Sequence, residues 1–503
     1  MNPSDPAALA AAETPSTVDP AARRAAIATI AVASIAVFMT ALDNLIVGVA
    51  LPSIRLSLGG SMESLEWTVN AYTMAFAVSM IAMAALGDRF GRRRVFVSGI
   101  AVFTAASAAA ALASSVELLV AARAIQGLGA AAIMPLSLTL ISGAVPPEKR
   151  SAAIGIWGGV SGLGVALGPA LGGAVVEGIS WEWIFWLNVP VGIVLVPLVF
   201  KFVAESKGPE SRLDLPGLAL AASGLFLLTF GVVRAPALGW ESATVAGSLG
   251  AAVALLAGFI AWERVAPAPM LPLRFFRSRA FSGTNLLSFA MFFGIFGAIF
   301  LLSQFFQVAQ GRGPFEAGAM TLPWTAMPMF VAPIAGAILY PRFGGRAVMT
   351  VGLSLQALAL AYLWQILDAG TAYLALVPGF IAAGTGMALV FSPSASMILD
   401  AVRPNEAGQA SGAASTLREV GGVLGVAVMA TVFQSSGSYA SPQAYADGVS
   451  AALPVAVAVL AAGAVAAALL PSKRALAAQA AAHTFSDDDA FSDAEPARVP
   501  VTA

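Results

Sequence analysis

The chain has 503 residues, of which 58% are hydrophobic and only 11% are charged, and its mean hydropathy is +0.84. A soluble domain carries about 25% charged residues, so most of this chain must face lipid or other apolar helices. The formal net charge of −1 gives no bias that would indicate a nucleic-acid partner. Cysteine is absent and the one histidine, His483, lies in a polar tail, which excludes disulfides and any metal site or proton relay built on cysteine or membrane-embedded histidine.

Fourteen segments are long and apolar enough to be membrane helices, since a spanning helix needs about 20 mainly apolar residues. An even number places both termini on one side of the membrane. The loops of the opposite side hold only Arg55, Arg234 and Arg312, which indicates that both termini are cytoplasmic. The segments are 27–52, 66–86, 95–113, 117–141, 152–176, 183–203, 215–233, 243–262, 285–308, 317–340, 347–366, 372–396, 411–434 and 449–470.

An internal repeat divides these segments into two halves. The sequence LGDRFGRRRVFVSG begins at Leu86, and the similar LYPRFGGRAVMTVG begins at Leu339. IQGLGAAAIMP, from Ile125, is echoed by AAGTGMALVFSP, from Ala382. Order and spacing predict an all-α membrane protein of two parallel six-helix halves joined by two extra helices. The predicted regions are a disordered tail (1–26), the first half (27–203), two extra helices with an amphipathic linker (204–280), the second half (281–470) and a disordered acidic tail (471–503).

The sequence also limits the energy source. It contains neither a G-x-x-x-x-G-K-[ST] nucleotide-binding loop nor a G-x-S-x-G nucleophile motif. The remaining groups that could couple transport to an energy source are the ionisable side chains inside the helices. They favour secondary transport driven by an ion gradient, without a cofactor or metal, over ATP-driven pumping, a membrane enzyme or a non-transporting receptor.

Three motifs stand out among the first five segments. The turn LGDRFGRRR contains Asp88, Arg89, Gly91 and Arg92, and it could be a simple basic loop that sets topology. RAIQGLGAA places Arg123 and Gln126 within a segment, where the arginine could also extend towards the interface. GVALGPALGG has small residues at four-residue spacing, which could serve ordinary close packing; its residues of interest are Gly164, Gly168, Pro169, Gly172 and Gly173.

Together these motifs resemble the signatures of the fourteen-span drug:proton antiporter family of the major facilitator superfamily. ALDNLIVGVALP, from Ala41, and WEWIFWLNVPVG, from Trp181, resemble two further signatures of that family, although Leu45, Gly48 and Glu182 replace its usual residues. The resemblance covers roughly residues 27–470. It implies that Asp88 and Arg92 latch an inner gate, that Arg123 and Gln126 serve proton transfer, and that the glycine–proline motif belongs to an exporter.

Two carboxylates lie inside predicted membrane segments, at Asp43 and Glu419. An ionised aspartate at the bilayer centre costs about 2.5–3.5 kcal/mol, so Asp43 needs a partner or a role in proton binding. Arg123 lies at a similar predicted depth and is its candidate partner. The pair is either a permanent structural ion pair or a proton-coupling site, and Glu419 is either a packing residue or a second such site.

A phenylalanine stripe in the ninth segment offers a substrate surface. Its members Phe289, Phe293 and Phe296, with Gln304 and Gln307 as polar groups, could line an apolar cavity or could face lipid or pack against other helices. Gln126 is a further candidate for the cavity lining. We expect a monomeric, multi-pass protein of the cytoplasmic membrane that exports amphipathic or cationic drug-like small molecules in exchange for protons. The alternative is a dedicated exporter of one endogenous molecule, such as a self-made antibiotic, a lipid or a peptide.

Overall fold

The computed structural model describes residues 20–59, 62–208, 214–267 and 269–472, and within them the secondary structure is helical. The predicted acidic tail from residue 473 onward and residues 1–19 of the N-terminal tail lie outside the described residues. The helices are α1 (Pro20–Leu58), α2 (Met62–Phe90), α3 (Arg92–Ala111), α4 (Val116–Ala144), α5 (Pro147–Gly178), α6 (Trp183–Trp186), α7 (Asn188–Phe202), α8 (Leu215–Leu238), α9 (Ala243–Glu263), α10 (Arg279–Val308), α11 (Pro314–Met320), α12 (Leu322–Thr325), α13 (Met327–Ile334), α14 (Tyr340–Ile366), α15 (Tyr373–Asp400), α16 (Ala407–Ser436) and α17 (Pro442–Ala468).

Twelve helical stretches in the described residues are long and apolar enough to cross a membrane, or thirteen if the two parts of α5, inclined by 40°, form one span. One stretch, Leu322–Ile366, has 45 residues and would extend about 67 Å as a single helix, twice the thickness of a bilayer core. It contains two predicted segments, and Gly344 breaks it with φ 79° and ψ 162°. All fourteen predicted segments therefore fall on helices.

Several helices begin at side-chain caps that the sequence supplies. Ser115, Ser242, Ser278 and Ser441 each accept a hydrogen bond from the backbone N–H three residues later, and Asp214 does the same at the start of α8. Each such cap satisfies one of the N–H groups that a helix start leaves unpaired and is worth about 1 kcal/mol.

The helices form two bundles with the extra pair on one side. Helices α1–α7 pack mainly on one another, as do α10 and α14–α17, and α8 packs on α9. The halves meet where α5 contacts α13 and α15, and where α16 contacts α2 and α4. Helix α8 contacts both α2 and α16, so the extra pair covers the junction of the halves on that side.

The repeated motif adopts similar backbone turns in both halves. Gly91 ends α2 with φ 113°, and Gly344 has φ 79°, both in the region that favours glycine because a Cβ would clash. The turn at Gly91 is followed by Arg92, Arg93 and Arg94, and we call this end of the bundle the arginine-rich end.

Two predicted regions differ from the structure. Residues 20–26 of the predicted N-terminal tail are helical, because Pro20 suits a helix start and the alanine-rich stretch after it continues into α1. The amphipathic linker forms only a short 3₁₀ helix at Leu273–Arg277. Its Leu271 and Phe275 are buried in a cluster with residues of α8, α9 and α16, while Arg274, Phe276 and Arg277 are exposed, so the segment has one apolar and one exposed side.

Candidate functional site: a buried ion pair beside a cavity

Asp43 and Arg123 form an ion pair inside the first half. Arg123 Nη1 lies 2.5 Å from Asp43 Oδ2, and the side chains of both residues are 0% exposed. Asp43 stands on α1 and Arg123 on α4, which are packed together. The arginine charge offsets the cost of burying the carboxylate, so the structure brings together the two residues that the sequence suggested as partners.

Polar side chains complete the coordination of Asp43. Its Oδ1 accepts hydrogen bonds from Gln126 Nε2 at 2.9 Å and from Asn188 Nδ2 at 2.8 Å. Both amides also donate to Ser107 Oγ, at 3.2 and 3.0 Å, and that hydroxyl donates to the backbone oxygen of Phe185. Three donors, from Arg123, Gln126 and Asn188, therefore surround the carboxylate and bind both of its oxygens.

Arg123 makes further contacts that fix its orientation. Its Nη1 also donates to Gln126 Oε1 at 2.7 Å, and its Nε donates to the backbone oxygen of Thr68 at 3.1 Å. Its Nη2 is buried without a hydrogen-bond partner in the described part of the chain. Protonation of Asp43 would remove the charge that neutralises Arg123, so the pair and its surroundings would have to rearrange.

A cavity with about 690 Å³ of empty space lies between the two halves. Asp43 and Arg123 do not line it, although Asn44, the residue after Asp43, does. Its walls are largely apolar and aromatic, as is typical of sites for drug-like ligands. The lining residues are Val37, Thr40, Ala41, Asn44, Leu45, Tyr72, Phe76, Met134, Gly158, Ser161, Gly162, Val165, Phe292, Phe296, Pro328, Met387, Phe391 and Glu419.

Glu419 provides the carboxylate of this cavity. It is partly exposed, and no ion pair or hydrogen bond to its side chain occurs among the described residues. The neighbouring Arg418 is buried and lies 5.3 and 5.8 Å from the ring centroids of Phe391 and Phe292, both of which line the cavity. Glu419 is thus a partly exposed carboxyl group in an aromatic chamber, with a cation behind the aromatic wall.

The arginine-rich end is closed by contacts between the halves. Arg92 Nε lies 2.7 Å from Asp88 Oδ1, and Arg92 Nη2 donates to the backbone oxygen of Asn405 at 3.1 Å. The Asp88 carboxylate also lies against the first turn of α16, where the helix dipole favours negative charge. A Cβ at Gly408 would lie 2.2 Å from this carboxylate, so glycine permits the close approach.

Neighbouring residues support the closed end. A Cβ at Gly91 would lie 2.8 Å from the carboxylate of Glu205, which accepts the backbone N–H of Arg93 at 2.9 Å. Deeper in the bundle, Ser411 Oγ on α16 lies 3.1 Å from Thr139 Oγ1 on α4. Arg89, by contrast, has its guanidinium 5.4 Å from the ring of the adjacent, exposed Phe90.

We expect Asp88→Asn to loosen this closed end. Loss of a charge at a helix N-terminus and of a buried ion pair should shift the opening equilibrium by about 1–2 kcal/mol, or about 5–30-fold. Since the chain has no cysteine, Ser411→Cys introduces a single thiol. Its reaction rate with a water-soluble maleimide should rise when Asp88→Asn is added.

Lys149→Gln is the matched control for that measurement, because Lys149 lies in the first turn of α5, at the same end of the bundle, with an exposed side chain. It should leave the labelling rate and transport near the values of the parent protein. Equal labelling rates with and without Asp88→Asn would show that the carboxylate does not hold the end closed.

The glycine–proline motif fixes α1 against α5. A Cβ at Gly164 would lie 2.7 Å from the backbone oxygen of Phe38, and one at Gly172 would lie 2.6 Å from Ile46 Cγ1. Gly168 faces Leu45. These contacts flank Asp43 in sequence, so the glycines let α5 support the segment that carries the carboxylate. Gly173 faces Phe315 of α11 instead, and Pro169 lies where the two parts of α5 meet.

Comparison with known proteins identifies the family. Residues 33–426 match the Major Facilitator Superfamily. The chain belongs to this superfamily. It is 36% identical over 425 residues to the Tetracenomycin C resistance and export protein of Streptomyces glaucescens, covering 83% of this chain and 78% of that one. It is 35% identical over 411 residues to the Multidrug resistance protein Stp of Mycobacterium tuberculosis, covering 81% and 76%.

Solved structures of the superfamily share the fold. The human organic anion transporter MFSD10 superposes with a TM-score of 0.63 at 16% identity, over 89% of this chain and all of that one. The predicted family and fold class are therefore confirmed, and the protein is a multi-pass membrane protein of the major facilitator type.

The predicted substrate residues of this major facilitator protein are only partly in the cavity. Phe296 lines it, but Gln126 is buried in the Asp43 network. Phe289 and Phe293 pack against Gly421 and Gly425 of α16. Gln304 is bonded to Tyr439, and Gln307 is exposed away from the cavity. Phe296 is therefore the member of the predicted stripe that lines the cavity, whereas Phe289 and Phe293 serve helix packing, the alternative that the sequence left open.

Sequence reasoning missed several residues that the structure brings together. Asn188 binds Asp43, Ser107 accepts hydrogen bonds from Asn188 and Gln126, and Phe292, Phe391 and Tyr72 line the cavity. Asn188 lies inside the WEWIFWLNVPVG motif, so the motif contained the signal. Ser107 is a small residue in an alanine-rich helix, and its sequence context gave no signal of a role in the site.

Proposed function

We propose that this protein is a proton-coupled secondary exporter that moves amphipathic or cationic drug-like compounds outward by alternating access. The observation that carries the proposal is the fully buried Asp43–Arg123 pair directly behind the wall of a cavity that contains Glu419. A carboxylate held by two amide donors and one cation has a charged and a protonated state with different structural requirements. Proton binding there would bias the bundle between two arrangements.

The cavity supports the substrate class. Aromatic rings and a single accessible carboxylate suit an apolar molecule with a positive charge, through ring contacts and charge attraction. The contacts between the halves close the arginine-rich end, which we assign to the cytoplasm together with both termini. This arrangement would present the cavity for release, and separation of Asp88 from α16 would open it for loading.

The energy required is available from the proton gradient alone, so no cofactor is part of the proposal, and the exporter acts as a monomer in the cytoplasmic membrane. One proton moving down about 100 mV supplies about 2.3 kcal/mol. That supports roughly a 50-fold gradient of a neutral substrate.

A dedicated exporter of one endogenous compound is the second candidate. One relative is named for tetracenomycin C and another for multidrug resistance, so relatives of both kinds are similar to this chain. The test is a panel of structurally different toxic compounds on otherwise identical cells with and without the protein. Protection against several unrelated cations supports the multidrug exporter, protection against one compound supports the dedicated exporter, and protection against none contradicts both.

We expect Glu419→Gln to impair cationic substrates more than neutral ones. The amide keeps the size of the side chain but removes the charge that attracts a cation, and an interaction with a charged group is worth about 1.5–3 kcal/mol. Apparent affinity for a cationic substrate should fall about 10–100-fold, while a neutral substrate changes by less than about threefold. Concentration dependence of uptake into inverted vesicles measures both.

Glu117→Gln is the control, since Glu117 is exposed at the start of α4. It should leave both affinities unchanged. An equal loss for cationic and neutral substrates in Glu419→Gln would mean that the charge does not select substrates.

A further inference from the structure

Tyr72 separates the buried ion pair from the cavity. The Arg123 Cζ atom lies 4.2 Å from the centroid of the Tyr72 ring, while Tyr72 itself lines the cavity. Neither Asp43 nor Arg123 reaches the cavity wall. One aromatic side chain therefore contacts both the guanidinium and the space that would hold substrate.

The contact between Tyr72 and Arg123 has energetic weight. A guanidinium over an aromatic face contributes about 0.5–1 kcal/mol when exposed and about 2 kcal/mol when desolvated, and Arg123 is fully buried. Phe185 contributes a second ring at 5.8 Å. Because Arg123 Nη2 has no hydrogen-bond partner in the described residues, the rings are a substantial part of what stabilises this end of the guanidinium.

The Tyr72 hydroxyl connects the same ring to α1. It donates to the backbone oxygen of Thr40 at 3.4 Å, one helical turn before Asp43 and Asn44. Thr40 and Asn44 also line the cavity. A movement of Tyr72 would therefore act on Arg123 through its ring and on the α1 segment beside Asp43 through its hydroxyl.

We propose that Tyr72 is a positioning residue for proton coupling: its ring seals the Asp43–Arg123 pair from the cavity, and substrate displaces the ring. Displacement removes the ring from Arg123 and admits water to Asp43. A proton then passes between cavity water and the Asp43 carboxyl, which becomes neutral on gaining the proton and negative on losing it. Proton exchange at Asp43 thus depends on whether the cavity is occupied. This inference rests on the proposed proton-coupled export.

Phe76 offers a matched control on the same helix. Its ring stacks on Tyr72 with centroids 5.8 Å apart and an interplanar angle of 21°, and it also lines the cavity. It makes no cation–π contact with Arg123 among the described residues. A change at Phe76 alters the cavity wall but leaves the ring over the guanidinium in place.

The experiment uses the full chain in proteoliposomes with an imposed proton gradient, and measures proton flux without substrate and protons moved per substrate. Tyr72→Met retains an apolar side chain of similar length without a ring. It should raise the substrate-free proton leak at least fivefold and lower the coupling ratio. Phe76→Met should leave the leak and the ratio at wild-type values, even where substrate affinity falls.

Tyr72→Trp keeps an aromatic face over Arg123 and provides a test even if Tyr72→Met fails to fold. In this variant the Asp43–Arg123 pair should remain sealed from the cavity, and the coupling ratio should equal that of the wild type. The proposal is overturned by a wild-type leak and ratio in Tyr72→Met, by an equal leak in Phe76→Met, or by a leak in Tyr72→Trp. If the wild-type protein moves no protons with substrate, the proposed function itself fails. If every variant couples normally, only the inference about Tyr72 fails.

Discussion

Asp43→Asn should abolish accumulation of substrate while leaving the protein folded. The amide preserves the shape of the side chain and resembles the protonated carboxyl, but it cannot gain or lose the proton. The roughly 50-fold gradient that one proton can support should fall to about 1. Uptake into inverted membrane vesicles with an imposed proton gradient measures this, and the amount of protein in the membrane confirms folding.

Asn44→Asp is not a suitable comparison, because it adds a charge to the cavity. Asn188→Ala is the better control: it removes one donor to Asp43 but leaves the carboxylate and its ion pair. It should retain proton-driven accumulation at a reduced rate. Wild-type accumulation by Asp43→Asn would mean that Asp43 is only a structural partner of Arg123.

Arg123→Gln should destabilise the protein, because it leaves the Asp43 carboxylate buried without its cation. Removing one partner of a buried pair leaves an uncompensated charge, which costs about 3–5 kcal/mol. Asp43 is 0% exposed, so the penalty should be near the full value. The free energy of unfolding in detergent, or the temperature at which the purified protein aggregates, provides the measurement.

The double variant Asp43→Asn, Arg123→Gln separates the structural from the functional contribution. Both charges are absent, so stability should return to within about 1 kcal/mol of wild type, as expected when a buried pair is replaced by neutral groups. Proton-driven accumulation should remain absent. A double variant as unstable as Arg123→Gln would show that the arginine acts through its contacts with Thr68 and Gln126, and not through the pair.

Much of the fold follows from hydropathy, because the bilayer demands long apolar helices whose positions can be read directly. The repeat beginning at Leu86 and Leu339 corresponds to glycine turns in both halves, at Gly91 and Gly344. The pairing of Asp43 and Arg123 could be predicted from their similar depth in the membrane, because a charged residue at one level of an apolar bundle has few other charged partners.

The cavity lining was harder to predict because it depends on helix rotation and on contacts between distant helices. In α10 almost every third or fourth residue is phenylalanine, so periodicity could not distinguish Phe292 and Phe296 from Phe289 and Phe293. Depth in the membrane predicts which charges share one level of the bundle but not which of them reaches the cavity wall; in the structure Asp43 and Arg123 lie behind that wall, and Tyr72 contacts both Arg123 and the cavity. The role of each of these residues in transport stays a prediction.

The central claim is that substrate export is exchanged for protons through this chain alone. The direct measurement is substrate-induced proton movement in proteoliposomes that contain only the purified protein, without ATP, followed by a pH-sensitive dye and a labelled cationic substrate. If export is coupled to protons, adding substrate on one side should drive protons in the opposite direction, and an uncoupler should abolish substrate accumulation. Full accumulation with the proton gradient collapsed, or substrate movement without any proton movement, would contradict it.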